Sequence, residues 1–157
     1  MQPELDALDR RILALVQEDA RQPAERIGQA VGLSASAVQR RLARLRETGV
    51  IAAEVAVLDP RSLGRPLVMI VDVELERERP ELLAAFRRWL AAEPAVQQAW
   101  YVTGESDYVL VVTAAAMEAY DALMQRLVAE NANVRRFRTR VALGAVKRGL
   151  ALPVDGA

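Results

Sequence analysis

A glycine and a serine two positions apart, Gly32 and Ser34, fix the local structure of the first third of the chain. Glycine just past a helix end tolerates the left-handed backbone that a C-cap needs. Serine at the next helix start accepts one of the amide protons left orphaned in the first turn. The run Val31-Gly32-Leu33-Ser34-Ala35-Ser36-Ala37-Val38-Gln39-Arg40-Arg41-Leu42-Ala43-Arg44-Leu45 therefore reads as helix stop, tight turn and helix start. In the second helix Val38, Leu42 and Leu45 fall on one side at helical spacing. Ser36, Arg40 and Glu47 point away from that stripe, flanked by Gln39, Ala43 and Arg44. A helix that is apolar inward and carries Arg, Gln and Ser outward suits a recognition helix, although an ordinary solvated helix shares the profile.

Two helices are expected before it. Residues 5–18 carry the stripe Leu5, Leu8, Ile12, Leu15 and Val16, with Asp9, Arg10, Arg11 and Gln17 outside it. After a break that ends at Pro23, residues 24–31 form a short second helix with Ile27 and Val31 inward. Its small residues Gly28 and Ala30 would admit another helix closely. Together these make a tri-helical helix-turn-helix unit whose third helix is placed for the major groove.

Charge narrows the options. Lys plus Arg and Asp plus Glu both number 21, so the formal net charge is zero, and DNA binding must rest on a local patch. Ser34 to Thr48 supplies one, with Arg40, Arg41, Arg44 and Arg46 against the single acid Glu47. The chain has no cysteine, which excludes disulfides and thiolate metal sites and fits a cytoplasmic protein. It has no histidine either, so the commonest general base and metal ligand is missing. No catalytic residue, metal site or cofactor is expected. No apolar run approaches the ~20 residues of a membrane span, and the acidic N-terminus does not suggest export.

The β-prone run 50–58 reads as a strand or wing leaving the helical unit, and the Pro- and Gly-containing segment 59–66 as a linker. From residue 67 the period changes. Strands are expected at 67–75, 96–103, 108–113 and 134–146, with helices at 80–92 and 117–131. Arg135, Arg136, Arg138 and Arg140 are candidates for the wetter face of the last strand. The order β-α-β-β-α-β is the ferredoxin-like split motif, so the fold class is α+β. Its uncovered sheet face argues for a second copy of the chain, a homodimer. The expected domains are 1–52 (winged helix-turn-helix), 53–66 (connecting strand and linker), 67–149 (ferredoxin-like) and 150–157 (a loosely ordered tail).

Five ordered motifs carry a resemblance: Leu5-Asp6-x-x-Asp9-Arg10-x-Ile12-Leu13, Gln17-x-Asp19-Ala20-Arg21, the run from Val31 to Leu42, Gly49-Val50-Ile51, and Gly104-x-x-Asp107-Tyr108. Over roughly residues 5–148 the chain resembles the Lrp/AsnC, or feast/famine, family of transcription regulators. The resemblance implies a helix-turn-helix joined to an αβ-sandwich domain that dimerises, often into octamers, and senses a free amino acid between dimers. DNA contacts are expected from Ser34, Ser36, Gln39, Arg40, Arg41 and Arg44, with Arg40 and Arg44 foremost. For Arg41 and Arg46 a solvated or intramolecular ion-pairing role is the favoured reading. Effector contacts are expected from Tyr101, Thr103, Gly104, Glu105, Asp107 and Thr139. A glycine turn exposes backbone N–H groups able to hold a carboxylate, and Asp107 would take the α-ammonium group; the alternative is a plain hairpin turn. Ala53-Glu54 departs from the family by lacking the glycine-aromatic pair frequent after the Val-Ile of the wing. Two other functions compete with this one. A sirohaem-decarboxylase-like enzyme shares the scaffold but relies on histidines absent here; an architectural DNA-compacting protein is disfavoured by the neutral net charge.

Overall fold

The computed structural model describes residues 4–154. It divides into two compact units: residues up to Ala56 together with those from Lys147 onward, and residues 57–146.

The first unit holds α1 (Ala7–Glu18), α2 (Ala24–Val31) and α3 (Ala35–Glu47). α1 begins two residues later than its stripe because Asp6 caps it: the Asp6 carboxylate accepts the Asp9 amide at 2.8 Å while Asp9 accepts the Asp6 amide at 3.2 Å. α2 stops at Gly32, whose φ of 78° lets its own amide and that of Leu33 both donate to the Gly28 carbonyl. The small size of Gly28 serves this turn, since a Cβ there would lie 2.4 Å from the Leu33 carbonyl oxygen. α3 starts as expected, with the Ala37 amide donating to the Ser34 hydroxyl at 3.2 Å. Ile12, Ile27, Val31, Val38 and Leu42 form the core, and Leu8, Leu15, Val16, Leu33 and Ile51 pack around it.

One expectation for this unit fails. No strand forms at 50–58, so the helical unit has no wing among the described residues. Val55, Val57 and Leu58 are 71%, 78% and 60% exposed; β-branched residues favour a strand only when a neighbour supplies the ladder, and none is present. The tail, in contrast, is pinned. The Gln17 side chain donates to the Leu152 carbonyl and accepts the Leu152 amide, both at 2.9 Å, and Arg10 donates to the Val154 carbonyl at 3.3 Å. One glutamine amide thus pairs with a peptide group as a strand neighbour would. Residues 155–157 of the expected tail lie outside the described residues.

The second unit runs β1 (Leu67–Leu75), α4 (Pro80–Ala92), β2 (Val96–Tyr101), β3 (Tyr108–Ala114), α5 (Met117–Glu130) and β4 (Val134–Val141). The sheet is antiparallel in the order β2-β3-β1-β4, which is the expected split motif. Met69, Val71 and Val73 of β1 and Leu110 and Val112 of β3 point into one core with Phe86, Leu90, Leu123, Met124 and Leu127 of the helices. β4 ends five residues earlier than expected. Beyond Val141 the Ala142 amide still donates to Val68 at 2.8 Å, and β1 itself starts at Leu67, so the ladder runs out of partner.

The other face of this sheet carries Ile70, Asp72 and Glu74 of β1, Val109 and Val111 of β3, Trp100 of β2, and Arg136, Arg138 and Arg140 of β4, placed there by the register. Arg140 pairs with Asp72 at 2.7 Å and Arg136 with Glu74 at 2.7 Å. One half of the face is therefore a charged ladder, and the other half is apolar, with Trp100 61% exposed.

Candidate nucleic-acid interface and effector loop

α3 presents Ser34, Ser36, Gln39, Arg40, Ala43, Arg44, Arg46 and Glu47 outward. The Ser34 and Ser36 hydroxyls lie 3.1 Å apart. The arginines divide sharply. Arg41 donates to Asp6 at 2.7 Å and to Asp9 at 2.8 Å, Arg44 pairs with Asp9, and Arg46 forks onto Glu54 at 2.8 and 3.2 Å. Arg40 makes no ion pair among the described residues. The expected ion-pairing roles of Arg41 and Arg46 are what the structure contains; Arg44, expected foremost at DNA, is engaged in the same way.

Asp9 is the residue that the sequence pattern misplaced. It lay outside the apolar stripe, yet its side chain is 1% exposed, sealed between α1 and α3. Burial alone would raise its pKa, but hydrogen bonds from Arg44, Arg41 and the Asp6 amide outweigh that and hold the carboxyl below its ordinary value. The Asp9 amide, followed by Arg41, likewise lowers the Asp6 carboxyl. The legible signal was the Asp6-x-x-Asp9 spacing of a capping box. Nothing in the periodicity said that its second member would also take two arginines.

In the second unit the turn between β2 and β3 is built around Gly104, at φ 121°. The Val102 amide donates to the Asp107 carbonyl at 2.9 Å, and the Asp107 amide donates to the Val73 carbonyl at 3.0 Å. One Asp107 carboxylate oxygen accepts the Leu75 amide at 2.6 Å, and the other has no hydrogen bond among the described residues. Glu105 is 86% exposed and 3.5 Å from Arg138. Thr103 is exposed. Tyr101 donates to Glu78 at 3.2 Å, and the Arg87 guanidinium lies over its ring, 5.3 Å from the centroid. The charge of Glu78 raises the Tyr101 pKa.

Thr139 makes no hydrogen bond to this loop among the described residues. It lies opposite Val71 in the ladder and shares a hydrogen bond with the Tyr120 hydroxyl on the helix side of the sheet. A groove of about 400 Å³ between α4 and β2 touches Tyr101 but none of the other expected effector residues. Arg87, Leu90, Val96 and Ala99 line it with Tyr101 and Tyr108. Sequence reasoning missed Arg87, whose Nε donates to the Tyr108 hydroxyl at 3.2 Å. No helix of the described residues is long and apolar enough to cross a membrane.

Comparison with known proteins agrees with both units. Residues 5–46 match the family model of the AsnC-type helix-turn-helix domain, and residues 68–152 match that of the Lrp/AsnC ligand binding domain. An HTH-type transcriptional regulator of Sinorhizobium fredii is 41% identical over 152 residues, spanning 97% of this chain and 90% of that protein. The crystal structure of an AsnC family transcriptional regulator from Agrobacterium tumefaciens superposes with a TM-score of 0.90 at 31% identity, covering 96% of this chain and 98% of that one. A Neisseria meningitidis transcriptional regulator in complex with L-methionine gives a TM-score of 0.90 at 26% identity, covering 97% and 98%. With a helix-turn-helix unit whose third helix bears an exposed arginine, and an antiparallel sheet domain with a glycine hairpin, this chain belongs to the Lrp/AsnC family of transcriptional regulators.

Proposed function

We propose that this regulator reads its operator through the outward strip Ser36, Gln39 and Arg40 of α3 and that a free amino acid at the Gly104–Asp107 hairpin modulates it. The observation that carries the DNA reading is the exposed Arg40, without an ion-pair partner among the described residues, on a helix whose opposite side is locked into the core. Ser34 and Ser36 supply hydroxyls for phosphate or base edges at the same helix start, where the helix dipole favours an anion. Arg41 and Arg44 are committed to α1 through Asp6 and Asp9 and take no leading part in the contact.

Support for an amino-acid effector is chemical. A turn of exposed amides, one free carboxylate oxygen on Asp107 and the neighbouring Glu105 suit a zwitterion, and the Neisseria relative was crystallised with L-methionine. The chain works as a homodimer, which the half-apolar sheet face favours, and such dimers assemble further. An enzymatic role draws support from nothing but scaffold likeness, and this chain lacks the histidines that role would use.

The test is an anisotropy titration of the full chain against the DNA just upstream of its own coding region, with and without a mixture of the common amino acids. Saturable, salt-sensitive binding that unrelated DNA cannot match is expected, with a midpoint shifted by the mixture. No specific binding, followed by no enrichment in a genome-wide selection of bound fragments, sinks the DNA reading. Binding indifferent to the mixture sinks the effector reading alone.

A further inference from the structure

We infer that Asp9 is a specificity-determining residue: by holding Arg41 and Arg44 against α1 it keeps two of the four α3 arginines out of the general attraction to phosphate and leaves sequence readout to Arg40, Gln39 and Ser36. The inference rests on α3 being the DNA-facing helix.

Attraction to the phosphate backbone carries no sequence information, and it scales with the number of cations that displace counterions. An arginine helps only if it can give up its protein partner. Arg46 and Glu54 have side chains 45% and 37% exposed, so water or phosphate replaces either partner readily. Asp9 differs in every respect. Its side chain is 1% exposed, the α1 capping box fixes its position, and both its oxygens are engaged by guanidinium groups. Pulling Arg41 and Arg44 away would strand a buried carboxylate, which is strongly unfavourable. Arg41 and Arg44 are therefore spectators in non-specific binding, while Arg46 is not. In a chain of zero net charge this arrangement keeps random-sequence binding weak without weakening the contacts that read bases.

The experiment measures the slope of log affinity against log salt for the full-length protein, on its operator and on random-sequence duplex. Asp9→Asn keeps the shape and removes the charge. It is expected to steepen the random-duplex slope by about 0.9, the value for one additional phosphate neutralised, because Arg44 is released while Asp6 still holds Arg41, and to lower the ratio of operator to random affinity. An unchanged slope, or operator and random affinity falling together, overturns the inference and leaves Asp9 merely structural. A second arm keeps Asp9 and does not depend on that variant folding. Arg46→Gln is expected to reduce the slope by about 0.9, whereas Arg44→Gln changes it by well under half of that; equal losses overturn the inference. If the unsubstituted protein binds no DNA above background, the regulator reading itself falls.

Discussion

The Leu75 backbone amide donates to the Asp107 carboxylate at 2.6 Å, so the loop proposed to hold the effector also clasps the end of β1. The two roles separate by substitution. Asp107→Ala orphans the Leu75 amide and is expected to cost about 1–3 kcal/mol, visible as a lower melting temperature. Asp107→Asn keeps an acceptor and the melting temperature, yet it loses the charge that faces an α-ammonium group. In calorimetric titration with the amino acid that shifts DNA binding, affinity should fall about tenfold or more.

Arg40→Ala should weaken operator binding by about 1–3 kcal/mol, the range of a good base contact. The melting temperature should stay where it was, because the side chain is exposed and supports nothing in its own unit. A binding curve that overlays the unsubstituted protein would remove α3 from the interface.

Acid should loosen the helical unit. The carboxyls of Asp6 and Asp9 lie below their ordinary values in the folded chain. Depressed carboxylate pKa values contribute stability that is full above the unfolded value near ~4 and is lost as pH falls through the folded values. Chemical denaturation followed at descending pH should show that loss, and Asp9→Asn should flatten it. A profile unchanged by the substitution would refute the linkage.

Gln17→Ala removes both hydrogen bonds to Leu152. The expected cost is about 1–2 kcal/mol, concentrated in α1, and amide exchange along that helix is the direct measurement. Protection lost equally from the sheet would show that the tail serves some other end.

On the sheet face, Val111→Lys places a charge among Ile70, Val109 and Trp100. Sedimentation is expected to report a dimer for the unsubstituted chain and a monomer for this variant. A dimer that survives the substitution would move the interface elsewhere.

What the sequence revealed and what it concealed divide along a physical line. Local chemistry was legible: Gly32 and Ser34 marked a stop and a start, and both act as expected. Regular burial was legible too, so β1 alternates through Met69, Val71 and Val73 and the topology follows. Pairings distant in sequence were not. The run through Val55 and Val57 has strand propensity but no neighbour to pair with, and Asp9 is charged yet buried because Arg41 and Arg44 arrive from 32 and 35 residues away. In the candidate site, the hairpin residues adjoin one another in sequence, while the hydrogen bond between Thr139 and Tyr120 is a contact that no local pattern encodes.

The strap from Lys147 to Val154 also sets an order of events during synthesis. Residues that pin α1 leave the ribosome after the whole sheet domain has emerged, so the helical unit waits with its Gln17 side chain unmatched while β1 to β4 are made. Long-range closure of this kind slows folding, and the sheet domain can fold as a unit in the meantime. A helix translated before the sheet domain is thus completed only after it.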